Sequence, residues 1–140
     1  MKIREFADAD EERVVALWTR CGLLRPWNDP RRDIARKKRV QRELFLVAEE
    51  GGEIAGAVMG GYDGHRGWVY YLAVDESLRR SGLGRRLMDE VEMRLRALGC
   101  PKLNLQVRND NAVALGFYER LGFRIDDTVS LGKRLESDER

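Results

Sequence analysis

Hydrophobic and polar positions recur in this chain with two different periods, and each period predicts a type of element. Residues 82–98 carry apolar side chains at helical spacing, which predicts an amphipathic helix with one buried stripe. Residues 102–108 alternate between polar and apolar positions, as in a half-buried strand. The continuous apolar run at 44–48 predicts a buried strand. The chain therefore mixes helices and strands along its length.

Turn-forming and capping residues separate the remaining elements. Asp29 followed by Pro30 predicts a helix start, because proline suits the first helical position. The pair Gly51-Gly52 predicts a tight hairpin turn. Further strands are predicted at residues 3–6, 53–60, 68–74, 123–126 and 129–133. Further helices are predicted from Asp8, over residues 31–43 and over residues 111–121, and the tail at residues 136–140 is expected to fray.

The segment 68–108 predicts a strand–helix–strand unit. The stripe of its helix consists of Leu83, Leu87, Val91, Leu95 and Leu98. Two strands joined through a helix in this way are parallel, with a right-handed crossover. Ligands of such units bind at the carboxyl ends of the strands, so a binding site is expected just after residue 74.

Composition narrows the classes of protein to which the chain can belong. Its 140 residues suit a single domain over residues 1–140, and 43% hydrophobic residues suffice for one core. Charged residues make up 36% of the chain but nearly cancel to +2, which argues against a general nucleic-acid binder. Two separate cysteines and one histidine are too few for a zinc site, so no metal is expected. Neither a signal peptide nor a membrane span is visible, and we expect a cytoplasmic protein.

The most informative segment follows the predicted strand 68–74. Gly82 and Gly84 lack a Cβ atom, so an anion can approach the main chain closely at the start of the next helix. Four arginines surround this point: Arg79, Arg80, Arg85 and Arg86. The pattern predicts a site for a pyrophosphate, with a tight turn bearing solvated arginines as the alternative. A P-loop is excluded because Arg85 follows Gly84, and a dinucleotide fingerprint is weak because Leu87 replaces its third glycine.

A second candidate element begins about 30 residues later. Asn111 and Tyr118 are seven positions apart, close to two helical turns, so both project from nearly the same face of the predicted helix. Ala114 lies between them and leaves room for a ligand. In the alternative interpretation, Asn111 caps the helix and Tyr118 packs in the core.

Together these two elements resemble the GCN5-related N-acetyltransferases (GNAT). The stretch Arg79-Arg80-Ser81-Gly82-Leu83-Gly84 resembles the family pattern Arg/Gln-x-x-Gly-x-Gly/Ala, and Asn111-x-x-Ala114-x-x-Phe117-Tyr118 resembles the second family signature. Residues 24–30 and 60–67 are most similar to the YpeA-type bacterial branch. The resemblance implies an α/β (α+β type) GNAT fold. That fold has a mixed, mostly antiparallel sheet of six to seven strands, a parallel and splayed pair formed by its fourth and fifth strands, and about four helices.

The resemblance also implies a function, the transfer of an acetyl group from acetyl-CoA to a primary amine by direct transfer in a ternary complex. Tyr118 matches the general acid of the family, and Asn111 matches an asparagine near the cofactor arm. The backbone of Leu72, Ala73 and Val74 matches the strand that holds the pantetheine arm and the acetyl group. The pyrophosphate loop corresponds to Arg79, Arg80, Ser81, Gly82, Leu83, Gly84 and Arg85.

The general base is where the match to the family breaks. Relatives that acetylate protein N-termini carry a glutamate where this chain has Gln106, and an amide is not a useful proton acceptor. The candidates for a base elsewhere are Asp63, His65, Glu119, Tyr70 and Tyr71. Each has a structural alternative: a turn for Asp63 and His65, a solvated position for Glu119, and the core for one of the two tyrosines.

The acceptor side is expected near the predicted loop between the first two helices. Trp27 and Asn28 are candidates to bind the acceptor, together with Asp63, His65 and Tyr71, although Trp27 also suits a hydrophobic anchor. The acceptor is an amine on a small molecule, a protein lysine or a protein N-terminus. The basic run at residues 31–42 is interpreted as a solvated helix face, with binding of an acidic partner as the alternative. RNA association through this face ranks last among the functions considered. A homodimer is possible, and a non-catalytic acetyl-CoA sensor or interaction module is the alternative function.

Overall fold

The structure of the chain is a computed structural model that describes residues 1–139. It contains two compact units, one formed by residues 1–105 with the segment from Asp138, the other by Gln106–Ser137. A single domain over the whole chain stays a prediction. No helix described in residues 1–139 is both long and apolar enough to cross a membrane.

The first unit is built on one five-stranded sheet. Its strands are β1 (Lys2–Glu5), β2 (Phe45–Glu50), β3 (Glu53–Tyr62), β4 (Gly67–Val74) and β5 (Leu103–Leu105). The helices of the chain are α1 (Glu11–Arg20), α2 (Pro30–Lys37), α3 (Leu83–Ala97) and, in the second unit, α4 (Ala112–Arg120). The strand order is β1-β2-β3-β4-β5, with antiparallel pairs up to β4 and a parallel β4–β5 pair. This mixed sheet with four helices confirms the predicted fold class.

The sheet has five strands in the described residues, where six to seven were predicted. The two predicted strands at 123–126 and 129–133 are wrong, because no strand is assigned between residue 106 and residue 139. The apolar side chains of this segment face solvent: Ile125 is 78% exposed, Val129 85% and Leu131 92%. Two short strands that find no further strand or helix to cover them are only marginally stable, which explains the outcome.

Helices α1 and α2 cover one face of the sheet. The buried side chains on this side include Val14, Leu17, Trp18, Ile34 and Phe45. Trp18 stacks on Phe45 with ring centroids 6.4 Å apart. Asp29 begins α2 as predicted, since its carboxylate accepts the N–H groups of Arg31 at 2.9 Å and Arg32 at 3.2 Å. The helix ends at Lys37, however, and not near residue 43.

Helix α3 covers the opposite face of the sheet, where it lies close to glycines of the strands. A Cβ at Gly56 would lie 2.9 Å from Leu87 Cδ1 and 3.2 Å from the Ala73 carbonyl oxygen. At Gly60 it would lie 3.0 Å from Val91 Cγ1. The predicted stripe of α3 is buried except at its last member, because the helix ends before Leu98, which is 47% exposed. The glycines therefore let α3 lie directly against the strands that precede the candidate site.

The predicted cap at Asp8 is wrong. The chain makes one turn of 3₁₀ helix at Asp8–Asp10 before α1, and Asp8 pairs with Arg42 at 2.7 Å. The Asp10 carboxylate accepts the N–H of Ala7, the residue before this turn, at 2.8 Å, and no side chain caps α1.

The predicted fraying of residues 136–140 is wrong at Asp138, which is anchored to the first unit. Asp138 is only 4% exposed. Its carboxylate accepts the N–H of Asp29 at 3.0 Å and two bonds from the Arg36 guanidinium at 3.1 and 2.7 Å. The last residue, Arg140, lies outside the described residues.

Candidate active site

The carboxyl half of β4 has an open edge. β5 pairs only with Gly67, Trp68 and Val69, so no strand in the described residues pairs with positions 70–74 on that side. These positions include the predicted cofactor strand Leu72, Ala73 and Val74. An unpaired strand edge presents backbone donors and acceptors to a ligand. The parallel β4–β5 pair that the family resemblance implies is confirmed, and its pairing ends at Val69.

A β-bulge lies within this open half. Ala73 pairs with Ala57 and Tyr70 with Met59, so Tyr71 and Leu72 together oppose a single residue of β3. Tyr71 has a φ of 54°, in the left-handed region that costs a non-glycine residue roughly 1–3 kcal/mol. Bulges of this kind re-aim side chains and are frequent beside active sites.

The glycine loop, residues 79–85, follows β4 and leads into α3. Gly82 is the N-terminal capping position of α3, with a φ of 88° and no capping side chain. The first helical hydrogen bond joins Arg86 N–H to the Gly82 carbonyl at 3.0 Å. The N–H groups of Leu83, Gly84 and Arg85 therefore have no partner within the helix. Side chains cap α2 and α4, namely Asp29 and Asn111, whereas α1 also begins without a capping side chain.

The charge around the start of α3 is positive. The first turn of the helix contains no acidic residue. The side chains of Arg79, Arg80, Arg85 and Arg86 are all exposed there. The helix dipole adds roughly half a positive charge at the same end. Open N–H groups with this charge make a site for an anion such as a pyrophosphate.

Asn111 and Tyr118 lie in the second unit. The Asn111 side chain accepts the N–H of Ala114 at 3.0 Å, so its role as a helix cap is confirmed. The Tyr118 ring contacts Phe117 and Phe123 edge-on, with centroids 5.1 and 5.6 Å away. Burial raises the pKa of Tyr118 to about 12. The phenol is therefore protonated throughout the neutral pH range, as a proton donor must be.

Two base candidates lie far from the glycine loop. Asp63 and His65 belong to the turn before β4, whose eight residues separate them from that loop by about 23 Å. The Asp63 carboxylate accepts the N–H groups of Arg66 at 2.7 Å and His65 at 2.8 Å. These bonds hold the pKa of Asp63 below its usual range, which weakens it as a base. The structure thus gives Asp63 the predicted alternative role of shaping a turn and does not bring it to the site.

The other base candidates fall into different surroundings. Tyr70 is 51% exposed and stacks with Trp68, while burial raises its pKa. Glu119 is an exposed residue of α4. Gln106, in the second unit, donates to the Ser130 hydroxyl at 2.5 Å.

An open groove of about 560 Å³ lies at Asn28, one of the two residues near which the acceptor side is predicted, and Trp27 is not among its lining residues. Trp27 is 40% exposed, and the Asn28 N–H donates to the Arg25 carbonyl at 3.1 Å. The groove is lined by Arg25, Pro26, Asn28, Asp29, Pro30, Arg31, Asp138 and Glu139. All of these residues belong to the first unit.

The basic run at residues 31–42 is largely paired within the chain. Arg31 contacts Glu12 at 2.6 Å, and Arg42 contacts Asp8 at 2.7 Å. Arg36 binds Asp138 at 2.7 Å. These three cations therefore have carboxylate partners within the chain, which agrees with the solvated helix face predicted for the run.

Asp33 was not predicted as a site residue, and the structure brings it to Tyr71. The Tyr71 hydroxyl donates to Asp33 Oδ2 at 2.6 Å. Asp33 lies within the basic run, so the sequence analysis treated its surroundings as a basic surface and did not select it as a site residue. Its spacing of four from the capping residue Asp29 places both carboxylates on one side of α2, and this spacing was the available signal.

The family model that matches this chain is that of the acetyltransferase (GNAT) family, over residues 6–123. Among solved structures, the chain is 29% identical to Ard1 from Thermoplasma volcanium, with a TM-score of 0.76 over 89% of this chain and 83% of that one.

Two further structures share the fold. The ribosomal-protein-S18-alanine N-acetyltransferase from Escherichia coli is 24% identical, with a TM-score of 0.73 over 88% of this chain and 77% of that one. The aminoglycoside 6'-N-acetyltransferase AAC(6')-IG from Acinetobacter haemolyticus is 17% identical, with a TM-score of 0.72 over 97% of this chain and all of that one (100%).

Proposed function

This chain belongs to the acetyltransferase (GNAT) family, whose members use acetyl-CoA, and we propose that it transfers the acetyl group of acetyl-CoA to a primary amine. The proposal places both substrates on the protein together, with direct transfer between them. The acceptor is an amine of a small molecule, a protein lysine or a protein N-terminus. We also propose that the chain belongs to the YpeA-type branch and acts in the cytoplasm.

The observation that carries the proposal is the uncapped start of α3 beside the open edge of β4. Donors of the glycine loop suit the pyrophosphate of acetyl-CoA, which carries two negative charges that the neighbouring arginines offset. The open edge at Leu72, Ala73 and Val74 suits the amide groups of the pantetheine arm. The residues proposed to bind the pyrophosphate are Arg79, Arg80, Ser81, Gly82, Leu83, Gly84 and Arg85.

The proposed chemistry needs backbone donors and a proton donor. The amine attacks the thioester carbonyl carbon, and the carbonyl oxygen becomes an oxyanion. An N–H group of the β4 bulge is proposed to stabilise this oxyanion, by about 3–4 kcal/mol in comparable sites. The C–S bond then breaks, and the thiolate, with a parent pKa of about 8.5, takes a proton. Tyr118 is proposed to supply it, and Asn111 to contact the cofactor arm.

The relatives do not narrow the acceptor beyond an amine. By their names, the structural neighbours act on the alanine of a ribosomal protein and on an aminoglycoside. This range of acceptors leaves the amine as the common feature. Trp27 and Asn28 are proposed to contact the acceptor, while a nucleic-acid partner is not expected and a homodimer stays a prediction.

The test is release of free CoA thiol from acetyl-CoA in the presence of defined amines. The panel contains a peptide with a free N-terminal alanine, an N-terminally blocked peptide with one lysine, spermidine and kanamycin. We expect thiol release and a mass increase of one acetyl group on at least one of them. Tight binding of acetyl-CoA in calorimetry, with no thiol release in the presence of any amine, would instead show a binding module. Gln106 favours that alternative, because relatives carry a glutamate base at this position.

A further inference from the structure

Tyr71 is held on two sides in the first unit. Its ring stacks on buried Trp18 of α1 with centroids 4.0 Å apart and planes 14° from parallel. Its hydroxyl donates to Asp33 of α2 at 2.6 Å. A charge-assisted bond of this length is strong. The phenol is thus fixed at the junction of the sheet with both helices.

The backbone of Tyr71 is strained at the same point. The residue occupies the left-handed region with a φ of 54°, in the bulge that directly precedes Leu72. Such strain persists only where surrounding contacts enforce it, and it is concentrated at functional sites. The bulge turns the Tyr71 side chain toward α1 and α2, next to the strand positions proposed to hold the thioester.

The charges that face Tyr71 are mostly negative. Asp33 contacts its hydroxyl, and Asp29 and Asp138 act on it electrostatically. Arg36 offsets part of this charge, since it lies 3.2 Å from Asp33 and binds Asp138. Burial and the bond to Asp33 raise the pKa of Tyr71 well above its usual value. The phenol therefore stays protonated and acts as the hydrogen-bond donor to Asp33.

Asp33 remains reachable by a ligand. Its side chain is 21% exposed, and the Tyr71 side chain is only partly buried. Asp63 and His65 are exposed as well, but they lie at the far end of β4 from the glycine loop. The position equivalent to the base of protein N-terminal acetyltransferases holds Gln106, which cannot serve.

We propose that Asp33 and the Tyr71 hydroxyl form the proton-accepting pair that deprotonates the acceptor amine. This inference rests on the proposed acetyltransferase function. It assigns a catalytic base on α2, a helix for which the sequence predicted a cap at Asp29 and a basic run but no site residue.

An acceptor that arrives as an ammonium ion loses two protons from its nitrogen on the way to the amide. The ammonium gives one proton to the phenol oxygen as the phenol passes its own to Asp33, so that Tyr71 is neutral before and after. The free amine forms the C–N bond, and the C–S bond breaks. Tyr118 gives its proton to the thiolate, which leaves as CoA thiol, and the second nitrogen proton restores the Tyr118 phenol. Asp33 returns the first proton to solvent.

The test measures kcat and KM from pH 6 to pH 10 for Asp33→Asn and Tyr71→Phe, with each panel amine that the parent protein acetylates. We expect kcat at pH 7 to fall about 100-fold in both variants, with little change in the KM for acetyl-CoA. The loss should disappear as the pH passes the pKa of the acceptor amine, about 8 for the N-terminal alanine and about 10.4 for lysine. Asp33→Glu should restore part of the rate.

Two matched controls separate this role from a structural one. Asp89→Asn removes an exposed carboxylate of α3, and Tyr62→Phe removes a hydroxyl in the distant turn before β4, so both should keep the parental rate. Tyr71→Phe keeps the ring on Trp18 and preserves packing even where Asp33→Asn unfolds the protein. A rate loss that is the same at every pH, or no loss at all, overturns the inference. If the parent protein acetylates no amine, the proposed function fails first and the inference falls with it.

Discussion

At the scale of single residues, Gly82 carries the strongest requirement of the candidate site. Its φ of 88° is one that side-chain-bearing residues rarely adopt, and a Cβ there would meet no other atom within 4 Å. The space beside Gly82 is therefore open, and the restriction comes from the backbone alone. In the proposed site, that open space is where the pyrophosphate lies against the N–H groups of α3.

Gly82→Val should weaken acetyl-CoA binding at least about tenfold, because it strains the loop and fills the approach to the donors. Gly51→Val is the matched control, since Gly51 has a φ of 59° with open space around it in the hairpin between β2 and β3. Calorimetry should show unchanged affinity for this control. Equal affinities in both variants would remove the glycine loop from the proposed pyrophosphate site.

Tyr118→Phe should lower kcat about 100-fold and leave the affinity for acetyl-CoA unchanged, because only the proton donor is lost. The pKa of Tyr118 is raised to about 12, so its protonated form is complete at low pH and is lost only as the pH rises toward that value. No decline in kcat from this group is expected between pH 6 and pH 10. A retained rate in the variant would exclude Tyr118 as the acid.

At the scale of elements, α3 and the sheet are matched through glycines. Three glycines of the sheet lie under three apolar side chains of α3: Gly56 under Leu87, Gly60 under Val91 and Gly67 under Leu95. A Cβ at any of these glycines would stand closer to the α3 side chain than an ordinary van der Waals contact. This close approach fixes the start of α3 relative to the end of β4, and hence the geometry of the glycine loop. These glycines therefore support the candidate site through the position of α3, although none of them is proposed to contact a ligand.

Gly56→Ala should lower the free energy of unfolding by about 1–3 kcal/mol, because the added methyl overpacks a site bounded by the Ala73 backbone. Gly132→Ala is the control, since a Cβ there would meet nothing within 4 Å and should change stability little. Urea denaturation measures both. A Gly56→Ala protein as stable as the parent would show that α3 can shift away from the sheet at no cost.

At the scale of the whole molecule, buried carboxylates paired with arginines join distant parts of the first unit. The side chain of Asp10 is 1% exposed and contacts Arg4 at 2.7 Å and Arg13 at 2.6 Å. Arg4 also reaches Glu49 of β2 at 2.9 Å. The network ties β1, α1 and β2 together, as Asp138 ties the end of the described chain to α2.

Asp10→Asn should destabilise the protein by about 2 kcal/mol at pH 7. This is less than the cost of breaking a fully buried ion pair, because both arginines are partly exposed. The bond to Arg4 lowers the pKa of Asp10, so its contribution is present above the unfolded pKa of about 3.9 and is lost as the pH falls through the lower folded value. Urea denaturation between pH 3 and pH 7 should therefore show a shallower acid loss in the variant. Identical pH curves would contradict this assignment.

The sequence predicted most elements whose signals are local. The cap at Asp29, the hairpin at Gly51 and the position of α3 all follow from backbone preferences and apolar periodicity, which neighbouring residues determine. The cap at Asp8, the strands after residue 122 and the fraying of the tail at Asp138 were wrong. Those outcomes depend on partners far along the chain, such as Arg42 for Asp8 and Arg36 for Asp138.

The amino-acid sequence by itself determined the family, the glycine loop and the helix on which Tyr118 lies, because these are set by short motifs whose backbone conformation is encoded within them. Only the tertiary structure decided which side chains meet. It placed Asp63 and His65 at the far end of β4 and brought Asp33 of α2 to the hydroxyl of Tyr71. Contacts between residues 38 positions apart depend on how helices pack on a sheet, and no local pattern records that packing.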